Sequence, residues 1–225
     1  HQTDQNYTAA GAVIISGYVR TPPGTAIAGV TVVFSNGIGA ATTASSGYYE
    51  KQVPIGWTGT VTPQKENYSF TPESRSYDTP VLAAQTNQNF TGTALVTISG
   101  YVRTTAGSGL ASVILTFSNG GGTAETDAHG FYSRAVSAPY TGTVTPVKTG
   151  YIFTPANYSY TGVTTNLANQ NFTAAESVTI SGYVRAKGTG AGIPGVRVTF
   201  TAGAGSAVTD SRGFYTRAVT APYTG

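Results

Sequence analysis

An all-β chain of tandem sandwiches is the fold class that this sequence predicts, and three observations predict it. The hexapeptide ISGYVR occurs at residues 15–20, 98–103 and 180–185, with spacings of 83 and 82. Apolar residues alternate with polar ones in short runs bounded by Gly and Pro, as half-buried strands require. Charged residues are only 9% of the chain, Met and Cys are absent, and Gly (29) and Tyr (15) are abundant. Good helix formers are thus scarce where β-branched and aromatic residues are plentiful, which excludes an ordinary helical protein. A hydrophobic content of 40% without a large net charge excludes disorder.

Everything downstream of ISGYVR repeats in register. A strand-like run follows, "GVTVVFSN" from Gly29, "ASVILTFSN" from Ala111 and "GVRVTFTAG" from Gly195. In the second copy Val113, Leu115 and Phe117 alternate with Ile114, Thr116 and Ser118, so the first three are expected to face a core. Next come "TASSGYYEKQV" from Thr43, "TDAHGFYSRAV" from Thr126 and "TDSRGFYTRAV" from Thr209. The stretch from Thr126 to Phe131 reads as a tight hairpin, with Asp127 bonding backbone amides and Gly130 free to take positive φ. "GWTGTVTP" from Gly56 matches "PYTGTVTP" from Pro139, and the third copy reaches "PYTG" at Pro222. The first two copies finish with "NQNFTGT" from Asn87 and "NQNFTAA" from Asn169, each running almost directly into the next ISGYVR strand. That junction predicts a semi-rigid link, and the strand count is about seven per unit of roughly 82 residues.

The frame divides the chain into four parts. Residues 1–12 hold "DQNYTAA", a closing strand without its own sandwich and a candidate donor strand. Residues 13–94 and 95–177 are β-sandwich 1 and β-sandwich 2. Residues 178–225 form an incomplete β-sandwich 3, a candidate acceptor, in which the counterpart of 143–175 is missing. A sandwich without its closing strand exposes an apolar groove and unpaired backbone. The expectation is that Gln5, Asn6, Tyr7, Thr8 and Ala9 of one subunit insert there in the next, with Tyr7 in the place of Phe90 and Phe172.

The order of an Ile-x-Gly-x-Val strand, a Gly-Val-x-Val strand, a Thr-Asp-x-x-Gly-x-Tyr turn and a closing Phe strand resembles the carboxypeptidase-regulatory-like (prealbumin-like) and Ig-like β-sandwich tandem repeats of bacterial surface proteins. The resemblance covers nearly the whole chain and implies a prealbumin-like or Ig-like sandwich with an extracellular stalk, adhesion or accessory role. It carries over no catalytic residue. The related B-type repeats of collagen-binding adhesins often hold an internal Lys–Asn bond from a lysine on the first strand, where this chain has Arg20, Arg103 and Arg185.

Residues shared by every copy are expected to hold the fold. Tyr18, Tyr101 and Tyr183 belong to this group, as do the three arginines two residues on. Trp57 takes the slot of Tyr140 and Tyr223 and reads as packing beside a turn rather than as a sugar-stacking platform. Asp127 and Asp210 lie in the turn, while Glu73 and Asp78, private to the first copy, have no spacing that makes them face each other. No catalytic pair, metal site or cofactor site is therefore expected. A copper site from His1 and His129 is set aside because His129 sits at a turn tip about one unit away. Zero cysteines remove disulfides, thiolate catalysis and zinc–thiolate sites without fixing the compartment. Five Asn-x-Ser/Thr triplets, at Asn6, Asn67, Asn89, Asn157 and Asn171, are candidate glycosylation sites.

A net charge of +3 spread without runs argues against a nucleic-acid partner, and no apolar stretch approaches the roughly 20 residues of a membrane span. No signal peptide is evident, so the chain reads as a mature, processed product. The function expected is a structural subunit of an extracellular filament or surface stalk, partnered with itself head-to-tail and decorated with or contacting glycans. The alternative is a polysaccharide-binding or spacer module of a larger secreted protein. A non-enzymatic role is expected in both cases.

Overall fold

A computed structural model of the chain describes residues 11–224, and these are all-β, with turns between strands and no helix. Among the described residues no helix is long and apolar enough to cross a membrane. The chain divides into two compact units, 1–95 and 96–225.

In the first unit, β1 (Ala12–Arg20) pairs antiparallel with β4 (Tyr48–Pro54), from Ala12 opposite Pro54 to Tyr18 opposite Tyr48. The other side of β1 takes a parallel neighbour, the segment from Gln85 into the start of β8 (Phe90–Thr104), which in turn pairs with β6 (Tyr68–Thr71). The facing sheet has the order β3 (Gly39–Thr42), β2 (Thr31–Phe34), β5 (Trp57–Gln64) and β7 (Arg75–Val81). Inward-facing side chains from both sheets form one core that includes Ile15, Val19, Val32, Phe34, Tyr49 and Phe90.

The second unit repeats this arrangement. One sheet has the order β10 (Gly122–Glu125), β9 (Ile114–Phe117), β12 (Tyr140–Val147) and β14 (Tyr158–Val163). The other joins β11 (Phe131–Ser137), β8, β15 (Phe172–Tyr183) and β13 (Tyr151–Thr154). Val113, Leu115 and Phe117 are at most 2% exposed while Ile114 is 41% exposed, so the strand phase is the expected one. Among the described residues the third sequence copy contributes the second half of β15, from Val178, with β18 (Phe214–Thr220) paired to it, and the two-stranded ribbon of β16 (Arg197–Phe200) and β17 (Gly205–Val208).

Two local expectations are refined. The stretch from Thr126 to Phe131 is a tight turn, in which Asp127 Oδ1 accepts from the His129 and Phe131 amides at 2.8 and 2.9 Å and Gly130 has φ 76°. It is not a hairpin, because β10 pairs with β9 whereas β11 pairs with β8, so the chain crosses from one sheet to the other. Thr126 explains the crossing. Its buried hydroxyl accepts from the Val113 amide at 2.9 Å and donates to the Leu110 carbonyl at 2.7 Å, satisfying backbone that no ladder reaches. Thr43 and Thr209 make the same pair of bonds in their copies. The second refinement is the closing strand, which is one uninterrupted element with the following ISGYVR strand, so that β1–β7 and β8–β14 make seven elements for each of the first two copies.

Candidate functional site

The closing segment defines a site in the first two copies. Ser16 bonds the segment through both backbone groups, Ser16 N donating to Gln85 O at 2.8 Å and Gln88 N donating to Ser16 O at 2.9 Å. In the second copy the same roles fall to Ser99, Leu167 and Gln170. One residue further, the side chain takes over: Asn89 Oδ1 accepts from the Tyr18 amide and Asn171 Oδ1 from the Tyr101 amide, each at 2.8 Å. The carboxamide stands in for a backbone carbonyl at this one position, and the ladder resumes with Phe90 opposite Val19 and Phe172 opposite Val102. Phe90 and Phe172 then drop into the core, nearly fully buried.

Three further features hold this segment. The hydroxyls of Tyr49 and Tyr132 donate to the Gln88 and Gln170 carbonyls. Tyr77 and Tyr160 donate to the carboxamide oxygens of the same glutamines at 3.0 and 2.9 Å. Gly17 and Gly100 give the backbone room to approach, since a Cβ at either would stand 2.4 or 2.3 Å from the glutamine carbonyl oxygen. Burial raises the phenol pKa of Tyr49 and of Tyr132 well above the ordinary tyrosine range, with smaller contributions from neighbouring phenols, Tyr77 for the first and Tyr160 and Tyr158 for the second. Both therefore stay protonated donors at neutral pH.

Among the described residues the third copy holds the counterpart of the first-strand half of this site and no closing segment. Ser181, Gly182, Tyr183 and Tyr215 take the places of Ser99, Gly100, Tyr101 and Tyr132. The bonds that Ser16 and Ser99 exchange with a closing segment have no counterpart at Ser181 among the described residues. Burial falls in parallel: Val96 is 4% exposed and its counterpart Val178 is 45%. Ile180, Val184, Val196, Val198 and Tyr215 are only partly buried, where Ile98, Val102, Val113, Leu115 and Tyr132 are buried fully. Among the described residues the β15 edge at Ser181 is therefore unpaired and the apolar face beside it is only partly buried.

The expected donor residues Gln5, Asn6, Tyr7, Thr8 and Ala9, and His1, lie outside the described residues. Of the candidate glycosylation sites, Asn67, Asn89, Asn157 and Asn171 are all exposed. Asn89 and Asn171 are committed to the closing ladder through Oδ1, whereas Asn67 lies in a turn at φ 59° and Asn157 in the connection between β13 and β14. Trp57 is only 7% exposed, packed against Phe34 and Tyr77, which leaves the sugar-stacking alternative without its platform. His129, Glu73 and Asp78 are exposed, and among the described residues no group of three or more His, Cys, Asp or Glu could hold a metal.

Arg20, Arg103 and Arg185 have a structural use. Each guanidinium lies 4.5–4.7 Å from the ring centre of the tyrosine two residues earlier, and each donates to a glycine carbonyl in the following loop, Gly24, Gly107 or Gly190. The sequence reasoning missed the Tyr49, Tyr132 and Tyr215 series and the role of Gly17, Gly100 and Gly182. A signal was present: of the paired aromatics at 48–49, 131–132 and 214–215, the first varies between Tyr and Phe while the second is always Tyr.

No family model matches the chain, and no curated protein matches it. Among solved structures, the Bacillus anthracis TIE protein overlaps 93% of this chain at 12% identity and a TM-score of 0.32, and the chain spans only 44% of that protein's length. GBS52, the minor pilin of Streptococcus agalactiae, overlaps 72% of the chain at 13% identity and a TM-score of 0.31, with 95% of its own length covered. BcpA, the major pilin subunit of Bacillus cereus, overlaps 93% at 8% identity and a TM-score of 0.30, with 85% of its length covered. Likeness at these values defines no family, and the sandwich architecture rests on the strand pairing described above.

Proposed function

We propose that the chain is a structural subunit of an extracellular filament or surface stalk, joined to like subunits head-to-tail by strand complementation. The segment holding Gln5, Asn6, Tyr7, Thr8 and Ala9 of one copy completes the open edge within residues 178–225 of the next. One observation carries this reading: the third copy has the residues Ser181, Gly182, Tyr183 and Tyr215 while several of its apolar residues are only partly buried where their counterparts are buried fully. The sequence "DQNYTAA" from Asp4 matches "NQNFTAA" from Asn169, the segment that fills the same edge in the second copy.

Such a contact is heterologous, because donor and acceptor are different surfaces, and it propagates as an open filament unless its rotation closes a ring. The role is mechanical and needs no catalytic group. Negative-stain electron microscopy and sedimentation of the full chain test it. Filaments or a concentration-dependent series of multimers are expected, and deletion of residues 1–10 should abolish them while the first two sandwiches keep their far-UV dichroism. A chain that stays monomeric at all concentrations, or filaments that survive the deletion, would overturn the proposal.

A further inference from the structure

We infer that the incoming strand occupies the third copy in one fixed register, set by Gly182, Tyr183 and Tyr215 on the acceptor and by Gln2, Gln5 and Asn6 on a second copy of this chain. The inference rests on the strand-complementation reading above and assigns its atoms. Transferring the two observed ladders onto the third copy gives the pairing directly. Gln2 stands where Gln85 and Leu167 stand, so Ser181 N donates to Gln2 O, and Gln5 N donates to Ser181 O. Asn6 Oδ1 accepts from the Tyr183 amide, and the Tyr215 hydroxyl donates to the Gln5 carbonyl.

Four further observations fit this register. Gly17 and Gly100 are glycines because a glutamine carbonyl lies over them; at Gly182 the three nearest atoms to a Cβ, among the described residues, are the Tyr215 hydroxyl and two carbons of its ring at 2.8–3.1 Å. Among the described residues the Tyr215 hydroxyl thus takes the place that a glutamine carbonyl takes in the first two copies. Asp4 stands where Asn87 and Asn169 take φ of 57° and 60°, and Asp is among the few residues that tolerate that region. Ala9 stands where Gly92 and the fully buried Ala174 stand, and a larger side chain at Gly92 would strike Ile27. Tyr7 is larger than Phe90 and Phe172 by one hydroxyl. In the second copy Tyr158 packs against Phe172 with ring centres 5.0 Å apart, and among the described residues of the third copy no ring takes the place of Tyr158, which leaves room for that hydroxyl.

The same register makes Thr8 the Cα partner of Arg185, as Thr91 is of Arg20 and Thr173 of Arg103. The chain has no cysteine, so a pair of introduced cysteines reports on this contact alone. The test is oxidation of the full chain carrying Thr8→Cys and Arg185→Cys, read on a denaturing gel beside Thr8→Cys with Ala186→Cys, which is shifted by one residue and so turned to the opposite face. A ladder of covalent multimers from the first pair and not from the second is expected. Gly182→Val in the otherwise unaltered chain should weaken assembly at least about tenfold, because its side chain occupies the place of the Gln5 carbonyl. Filaments that form with no ladder, or equal ladders from both pairs, would overturn the register while leaving strand complementation standing. A monomer with an internal disulfide would overturn the second copy as the donor. A monomer with two free thiols and no filaments would overturn both.

Discussion

The Tyr132 hydroxyl donates to the backbone carbonyl of Gln170, 38 residues away, and this bond ties the strand after the sheet-crossing turn to the segment that closes the sandwich. Tyr49 and Gln88 repeat the bond in the first copy. Replacing Tyr132 with Phe keeps the ring in the core and leaves the Gln170 carbonyl without its donor. The expected loss is about 1–3 kcal/mol, read as a lower urea midpoint for the second sandwich, and a loss below about 0.5 kcal/mol would show that water takes over the bond.

Phe117→Ala should cost about 3–5 kcal/mol, as for other buried aromatics. Ile114→Ala, three residues away on the exposed face of the same strand, should stay within about 0.5 kcal/mol. Denaturant unfolding of the two variants compares them directly, and equal losses would mean that the two faces of β9 are equally buried.

The phase of β9 was legible because alternation in a half-buried strand is a local property, and the Asp127 turn was legible because a carboxylate capping two amides needs only its neighbours. Whether that turn joins paired strands or crosses between sheets depends on β8 and β9, which are distant in sequence, so a local pattern cannot distinguish a hairpin from a crossing. Gly17 and Gly100 were opaque for a similar reason: the carbonyl that demands the glycine comes from about 70 residues away.

Stability should fall in alkali. Burial raises the folded-state pKa of Tyr49, Tyr77, Tyr132, Tyr140 and Tyr160 above the unfolded value of about 10. Above that pH the unfolded chain binds fewer protons than the folded one, so the stability present below about pH 10 is lost as pH rises toward the folded-state values. Absorbance titration near 295 nm should show one group of tyrosines ionising reversibly and a second ionising only as the dichroism of the sandwiches collapses. A single reversible titration of all tyrosines in a folded chain would contradict the burial of these phenols.

Trp57 is the chain's one tryptophan and lies in the core. Its fluorescence should be blue-shifted, resist iodide quenching and remain unchanged by soluble oligosaccharides. A sugar-dependent shift would revive a glycan-stacking role for the first sandwich.

Hydrogen exchange at the Ser181 and Tyr183 amides tests the central claim most directly. In the assembled full chain both should exchange as slowly as Ser99 and Tyr101, and in the chain lacking residues 1–10 both should exchange at least about tenfold faster while Ser99 and Tyr101 stay protected. Equal exchange at Ser181 and Tyr183 in the two chains would contradict completion of the third copy by the strand that carries Asn6 and Tyr7.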